Sequence, residues 1–276
     1  MPETARQPAG GDYAAWRDAQ PEAIWGLPAL EATIERRLRQ FALPTALLVA
    51  WAVVHTGLPH LLLRTVLSMW IHELGHAIAA WMCGRFAFPG PWFTPVGAQR
   101  TLIVVVGLAV GLGYGVFRCW RSRKPWAVFL CVALLAQVYC TFILPDRKAM
   151  ALIVWSGDGG CMILGALLML SLYARTRSQL RVGWLRWGFL VIGAAAFADG
   201  FATWWAARTD REVIPFGENE GRGPSDPTVL IFQQGFSIPG LVNGYVWLGI
   251  ACLAVLLVAY ILGLRQERQV DEEGDA

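Results

Sequence analysis

Val66-Leu-Ser-Met-Trp-Ile-His-Glu-Leu-Gly-His-Ala-Ile-Ala-Ala-Trp-Met82 is an apolar run broken by three ionisable side chains, His72, Glu73 and His76. On a helix, His72 and His76 stand four residues apart and project from one face at one spot. That spacing suits two of the ligands of a zinc ion, and Glu73 can serve the same spot as a base without ligating. Ionisable groups are costly inside an apolar segment and usually functional. The helical stripe through them reads Thr65, Ser68, His72, His76, Ala79 and Cys83, a polar seam on an apolar cylinder. Gly75 and Ala79 let a neighbouring helix approach closely. The plain alternative is a pair of histidines hydrogen-bonded inside a bundle, with Glu73 as a buried partner.

The rest of the chain matches that setting. Its 276 residues are 56% apolar and only 16% charged, with 14 Trp. A charged share this low is below the soluble-globular norm. A net charge of +3 leaves no footprint for nucleic acid. Several apolar runs approach the length that spans a bilayer, so the expected fold is all-α: a polytopic helix bundle of about six or seven spans. The lipid bilayer is then an obligatory partner. Cys83, Cys119, Cys131, Cys140, Cys161 and Cys252 show no C-x-x-C spacing and read as reduced thiols. The first apolar run starts too late to be a cleavable signal peptide.

Residues 1–42 read as a polar arm, with Leu30, Ile34, Leu38 and Phe41 at helical spacing around Arg36, Arg37 and Arg39. A transmembrane domain follows over 43–264. Its first span is read as Leu43–Leu63, containing His55 and the break Thr56-Gly-Leu-Pro-His60; the motif helix follows from Thr65 to Met82. His55 and His60 lie across that break at poor ligand spacing and read as interfacial. Gly84–Gly97 holds three prolines and three glycines yet is strongly aromatic. It cannot be helical, and reads as a hairpin dipping toward the membrane or an interfacial loop anchored by Trp92 and Phe93. Further spans are expected at Thr101–Phe117, Trp126–Leu144, Leu152–Tyr173, Trp184–Ala206 and Val242–Leu264, with an acidic disordered tail over 265–276. Arginine-rich loops near 118–125 and 175–183 read as cytoplasmic and the loop 207–241 as outside. The same alternation puts the N-terminus outside, against the sense of Arg36, Arg37 and Arg39.

A catalytic zinc site needs a third protein ligand and one open position. Two carboxylates stand inside apolar spans, Asp158 and Asp199. Gly157, Gly159 and Gly160 permit close approach around Asp158; Asp199 has Gly200 and the run Ala194–Ala196 beside it, but also Phe197 and Phe201. Either could instead be an intramembrane hydrogen-bond partner.

HELGH in an early membrane helix, followed by Asp158-Gly-Gly-Cys-Met-Ile-Leu164 in a later one, resembles the site-2 protease family of intramembrane zinc metalloproteases. The likeness covers roughly residues 43–175. It implies Zn2+ as cofactor, His72, His76 and Asp158 as its ligands, Glu73 as the catalytic base, and a membrane-protein substrate cut within or beside a transmembrane segment. Outside that likeness, the same residues allow a scaffold or escort protein with a structural zinc site, or an ion transporter.

Overall fold

The computed structural model describes residues 27–121, 123–173, 185–219 and 223–274. Residues 1–26 of the expected polar arm lie outside them. The chain divides into two units, Met1–Phe41 and Ala42–Ala276, and the packing and the site described below belong to the second.

Helix α1 (Leu27–Val54) gives way at His55–Gly57 to α2 (Leu58–Met82), which leaves it at 114°. Pro59 explains the restart: it sits in the first turn of α2, where its missing N–H costs nothing and its fixed φ favours helix. The chain breaks within the expected Thr56–His60 stretch, but the helix resumes at Leu58 rather than Thr65, so Leu58–Leu63 belongs to α2 and not to the first span. α2 then runs unbroken to Met82, through a π-helical stretch at Leu63–Ser68. The later helices are α3 (Leu102–Trp120), α4 (Lys124–Ile143), α5 (Asp146–Tyr173), α6 (Leu185–Ala206), the short α7 (Asp226–Thr228) and α8 (Ile238–Gly274). The bundle is all-α and, among the described residues, has five helices long and apolar enough to cross a membrane, or six if the bent α1–α2 pair counts as one span. Two of the expected spans thus merge into one broken element. The apolar window of α3 has none of its residues buried, an arrangement that suits lipid rather than water.

α5 is the hub, packed against α2 on one side and α6 on the other. Glycine sets both distances. A Cβ on Gly75 would fall 2.1 Å from the carbonyl oxygen of Ser156, and one on Gly160 would fall 2.6 Å from Cα of Gly75. At the α5–α6 crossing, a Cβ on Gly165 would meet the Gly193 carbonyl oxygen at 2.8 Å. Interhelical hydrogen bonds in a bilayer average only about 0.6 kcal/mol, so backbone contact through small residues carries more of this packing. α8 joins behind α5: Tyr245 stacks on Trp155 with ring centroids 5.0 Å apart and donates its hydroxyl to the Trp155 carbonyl at 2.9 Å.

The proline-rich stretch after α2 is an antiparallel hairpin of β1 (Arg85–Ala87) and β2 (Val96–Arg100). Gly84 turns the chain out of the helix with φ of 73°, which an L side chain rarely adopts. Buried Arg85 holds the hairpin closed: its Nη1 donates to the Gly97 carbonyl at 3.1 Å and to the Ala98 carbonyl. Its Nη2 donates to Asp146 Oδ1 at 3.2 Å, and Arg100 reaches the same oxygen at 3.1 Å. Because Asp146 opens α5, the hairpin is tied to the hub helix. A second, very small hairpin pairs β3 (Glu218–Asn219) with β4 (Gly223–Pro224) just before α7.

Candidate metal centre

α2 brings His72 and His76 edge to face, ring centroids 4.7 Å apart, with their Nε2 atoms 3.1 Å from each other. The third corner comes from α7. Asp226 Oδ2 lies 3.1 Å from Nε2 of His72 and 3.0 Å from Nε2 of His76. Local folding of the 207–241 loop puts it there. Ser225 N–H donates to the Gly217 carbonyl at 2.9 Å, Thr228 Oγ1 accepts from Gly217 N–H at 3.0 Å, and buried Pro227 fixes the first turn of α7.

Proton placement follows from the other ring nitrogens. His76 Nδ1 faces the Ile153 carbonyl at 2.7 Å. A carbonyl only accepts, so Nδ1 carries the proton and Nε2 keeps a lone pair. His72 Nδ1 faces Asp158 Oδ1 at 3.2 Å, with the same result. Two nitrogen lone pairs and a carboxylate oxygen therefore converge within 3.1 Å. Asp226 Oδ2 is buried, and neither imidazole meets it with hydrogen-bond geometry. Such a cluster calls for positive charge at its centre, either a further proton on an imidazole or a cation. Burial by itself would raise the Asp226 carboxyl; with a proton on Nε2 the facing imidazoles more than offset that and hold it below the usual carboxylate range.

The cluster fits zinc. Two histidines and a carboxylate are a known catalytic ligand set. Zinc bound tetrahedrally at about 2.0–2.2 Å keeps its ligand atoms roughly 3.3–3.6 Å apart, so the triangle needs to open by only a few tenths of an ångström. Gly157 makes the room: a Cβ there would lie 2.6 Å from Cε1 and Nε2 of His72 and from Cε1 of His76.

Glu73, buried at 5% exposure, lines the same cavity of about 600 Å³ as the two histidines and Asp226. The hairpin tip forms another wall, where Thr94 donates to the Glu73 carbonyl at 2.9 Å beside Trp92 and Phe93. His72, Glu73 and His76 thus line one cavity. Asp158, expected as third ligand, stands instead on the outer nitrogen of His72. Its second oxygen accepts from Trp204 Nε1 at 2.8 Å, which makes it an orienting carboxylate of the kind that fixes a ligating histidine. Asp199 is elsewhere: it accepts from His60 Nε2 at 2.8 Å and lies 3.6 Å from Arg64 Nη1. His55 turns Nδ1 to the Trp51 carbonyl at 2.7 Å. Asp226 lies in a polar loop, where a carboxylate is ordinary and does not stand out as it does inside an apolar span. The one local sign was its place between Pro224 and Pro227, a stiffened turn in an otherwise polar loop. Compared with known proteins, the chain matches no family model, no curated sequence and no solved structure.

Proposed function

We propose that the protein is an intramembrane zinc metalloprotease that hydrolyses peptide bonds within or next to transmembrane segments of membrane proteins. The observation that carries this reading is the convergence of His72 Nε2, His76 Nε2 and Asp226 Oδ2 in one cavity with Glu73, inside a bundle of apolar helices. The HELGH sequence and its likeness to site-2 proteases point the same way. Bound at that triangle, zinc supplies a Lewis acid that polarises the scissile carbonyl and eases deprotonation of water.

The chain's own groups do the rest. His72 and His76 present lone pairs because Asp158 and the Ile153 carbonyl hold their outer N–H groups. Trp204 in turn fixes Asp158. Glu73 takes the proton of the attacking water and returns it to the leaving amine. A structural zinc site has no use for an acid at this position, which favours hydrolysis over scaffolding. A helical substrate shields its own amides and must unwind locally; Val96, at the start of β2, lines the cavity where an unwound segment can add to the hairpin as a strand.

The test is zinc content and cleavage of a membrane-spanning reporter by the purified protein and by Glu73→Gln. The variant should keep its zinc and lose cleavage. Loss of zinc, or unchanged cleavage, would count against the assignment.

A further inference from the structure

The cavity extends back along α2 from His72 to Arg64. Arg64 sits in the apolar run Leu61-Leu-Leu-Arg-Thr-Val-Leu67, where a guanidinium is expensive unless it is used. Its counter-charge is Asp199, buried on α6, but the two are 3.6 Å apart, beyond hydrogen-bond reach. Asp199 gives its close contact to His60, at 2.8 Å. Asp199 therefore offsets the charge of Arg64 without engaging its donors, and among the described residues no hydrogen bond uses the guanidinium. The side chain is 38% exposed, and it lines the cavity. Five N–H groups in a planar fork are left to meet something that enters.

The backbone supports the same assignment. In an α-helix, residue 64 would point about 80° away from residue 72, since that separation is two turns and a fraction. The π-helical stretch Leu63–Ser68 has wider turns and takes up that excess, so both side chains face one wall. Such insertions recur at functional sites. The helix rise puts Arg64 about 12 Å from His72, a distance that an extended peptide covers in about three to four residues.

We infer that Arg64 is a specificity-determining residue that binds a carboxylate of the substrate, about three to four residues from the bond to be cut. The inference rests on the proteolytic reading above. The carboxylate is an Asp or Glu side chain, or a free C-terminus.

The test uses the full chain, zinc-loaded, in detergent micelles, with Glu73→Gln to prevent turnover. The probes are fluorescent apolar decapeptides carrying one Glu or one Gln, each with a free or an amidated C-terminus, and binding is read by anisotropy. Replacing the carboxylate in the peptide should weaken binding about tenfold or more, the usual loss for a charge-assisted hydrogen bond. A second substitution, Arg64→Gln, should abolish that difference while leaving zinc content and affinity for the neutral peptide unchanged; Arg64→Lys should keep part of it. Loss on Glu→Gln identifies a side-chain carboxylate, and loss on amidation identifies a C-terminus. Equal binding of all four peptides, or a preference that survives Arg64→Gln, overturns the inference. Cleavage by the wild-type protein without any Arg64-dependent preference overturns it alone; an Arg64-dependent preference without cleavage overturns only the protease reading. Failure of the parent to bind any of the peptides overturns both.

Discussion

Oδ1 of Asp158 lies 3.2 Å from Nδ1 of His72, on the far side of the ring from the Nε2 that faces His76 and Asp226. One imidazole thus has two carboxylates, one on each nitrogen, and the two have different work. The inner one shares the donor triangle, and the outer one sets the tautomer.

That division predicts unequal mutants. Asp226→Ala should strip zinc from the protein at concentrations that saturate the wild type. Asp158→Asn should weaken zinc binding by about 10–100-fold, the range for loss of an orienting partner. Trp204→Phe, which removes only the N–H held by Asp158, should weaken it less and lower stability by about 1–3 kcal/mol. Chelator competition on the three purified variants ranks them. A protein that keeps zinc without Asp226 and loses it without Asp158 would return the third-ligand role to Asp158.

Asp199→Ala should leave zinc affinity within about threefold of wild type, because Asp199 contacts His60 and Arg64 and not the triangle. Zinc loss comparable to that of Asp226→Ala would show that the two sites are one.

Gly157→Ala separates helix stability from site integrity. Alanine is favoured over glycine in a helix by about 1 kcal/mol, yet its Cβ would strike both imidazoles. The expected outcome is a folded protein with impaired zinc binding. Gly107→Ala, where the added carbon meets nothing within 4 Å, is the matched control and should leave zinc binding alone. Equal zinc affinity in both variants would mean that the imidazoles lie elsewhere.

Topology gives a further prediction. With α1 and α2 counted as one bent span, the number of crossings falls by one, and the N-terminus moves to the side of the arginine-rich loops. The sense of Arg36, Arg37 and Arg39 then agrees with the rest of the chain. Lys124→Cys and Glu218→Cys, both at exposed positions, should label from opposite faces of sealed vesicles, and an N-terminal tag should be accessible from the Lys124 side. A tag reached from the Glu218 side would mean that α1 and α2 each cross fully.

What the sequence disclosed and what it withheld follow from locality. His72, Glu73 and His76 share one helix, so spacing alone brought them together. Three prolines between Gly84 and Gly97 ruled out helix there, and Gly75 and Gly160 marked a close crossing through composition alone. The break at Thr56–Gly57 is legible but the start of α2 is not, because Leu61–Leu63 continues the apolar run past the break, while the helix restarts at Leu58 with Pro59 in its first turn. Asp226 was illegible for another reason. No pattern within its own loop says that α7 folds back over α2; that information resides in the tertiary contacts of Pro227 and in the hydrogen bonds between Thr228 and Gly217.

The late position of Asp226 in the chain has a consequence for biogenesis. Its partners in the triangle are made early, in the second helix, but the carboxylate is made only after the whole of α6. A nascent chain therefore holds Glu73 and two histidines for most of its synthesis without the third donor. On the proteolytic reading proposed above, metal loading would be a closing step of assembly, and a partly made chain would be kept from cutting its neighbours in the membrane. A chain ended before Pro224 should insert its first helices normally and take up no zinc; metal retained by that truncated chain would place loading before the loop is made.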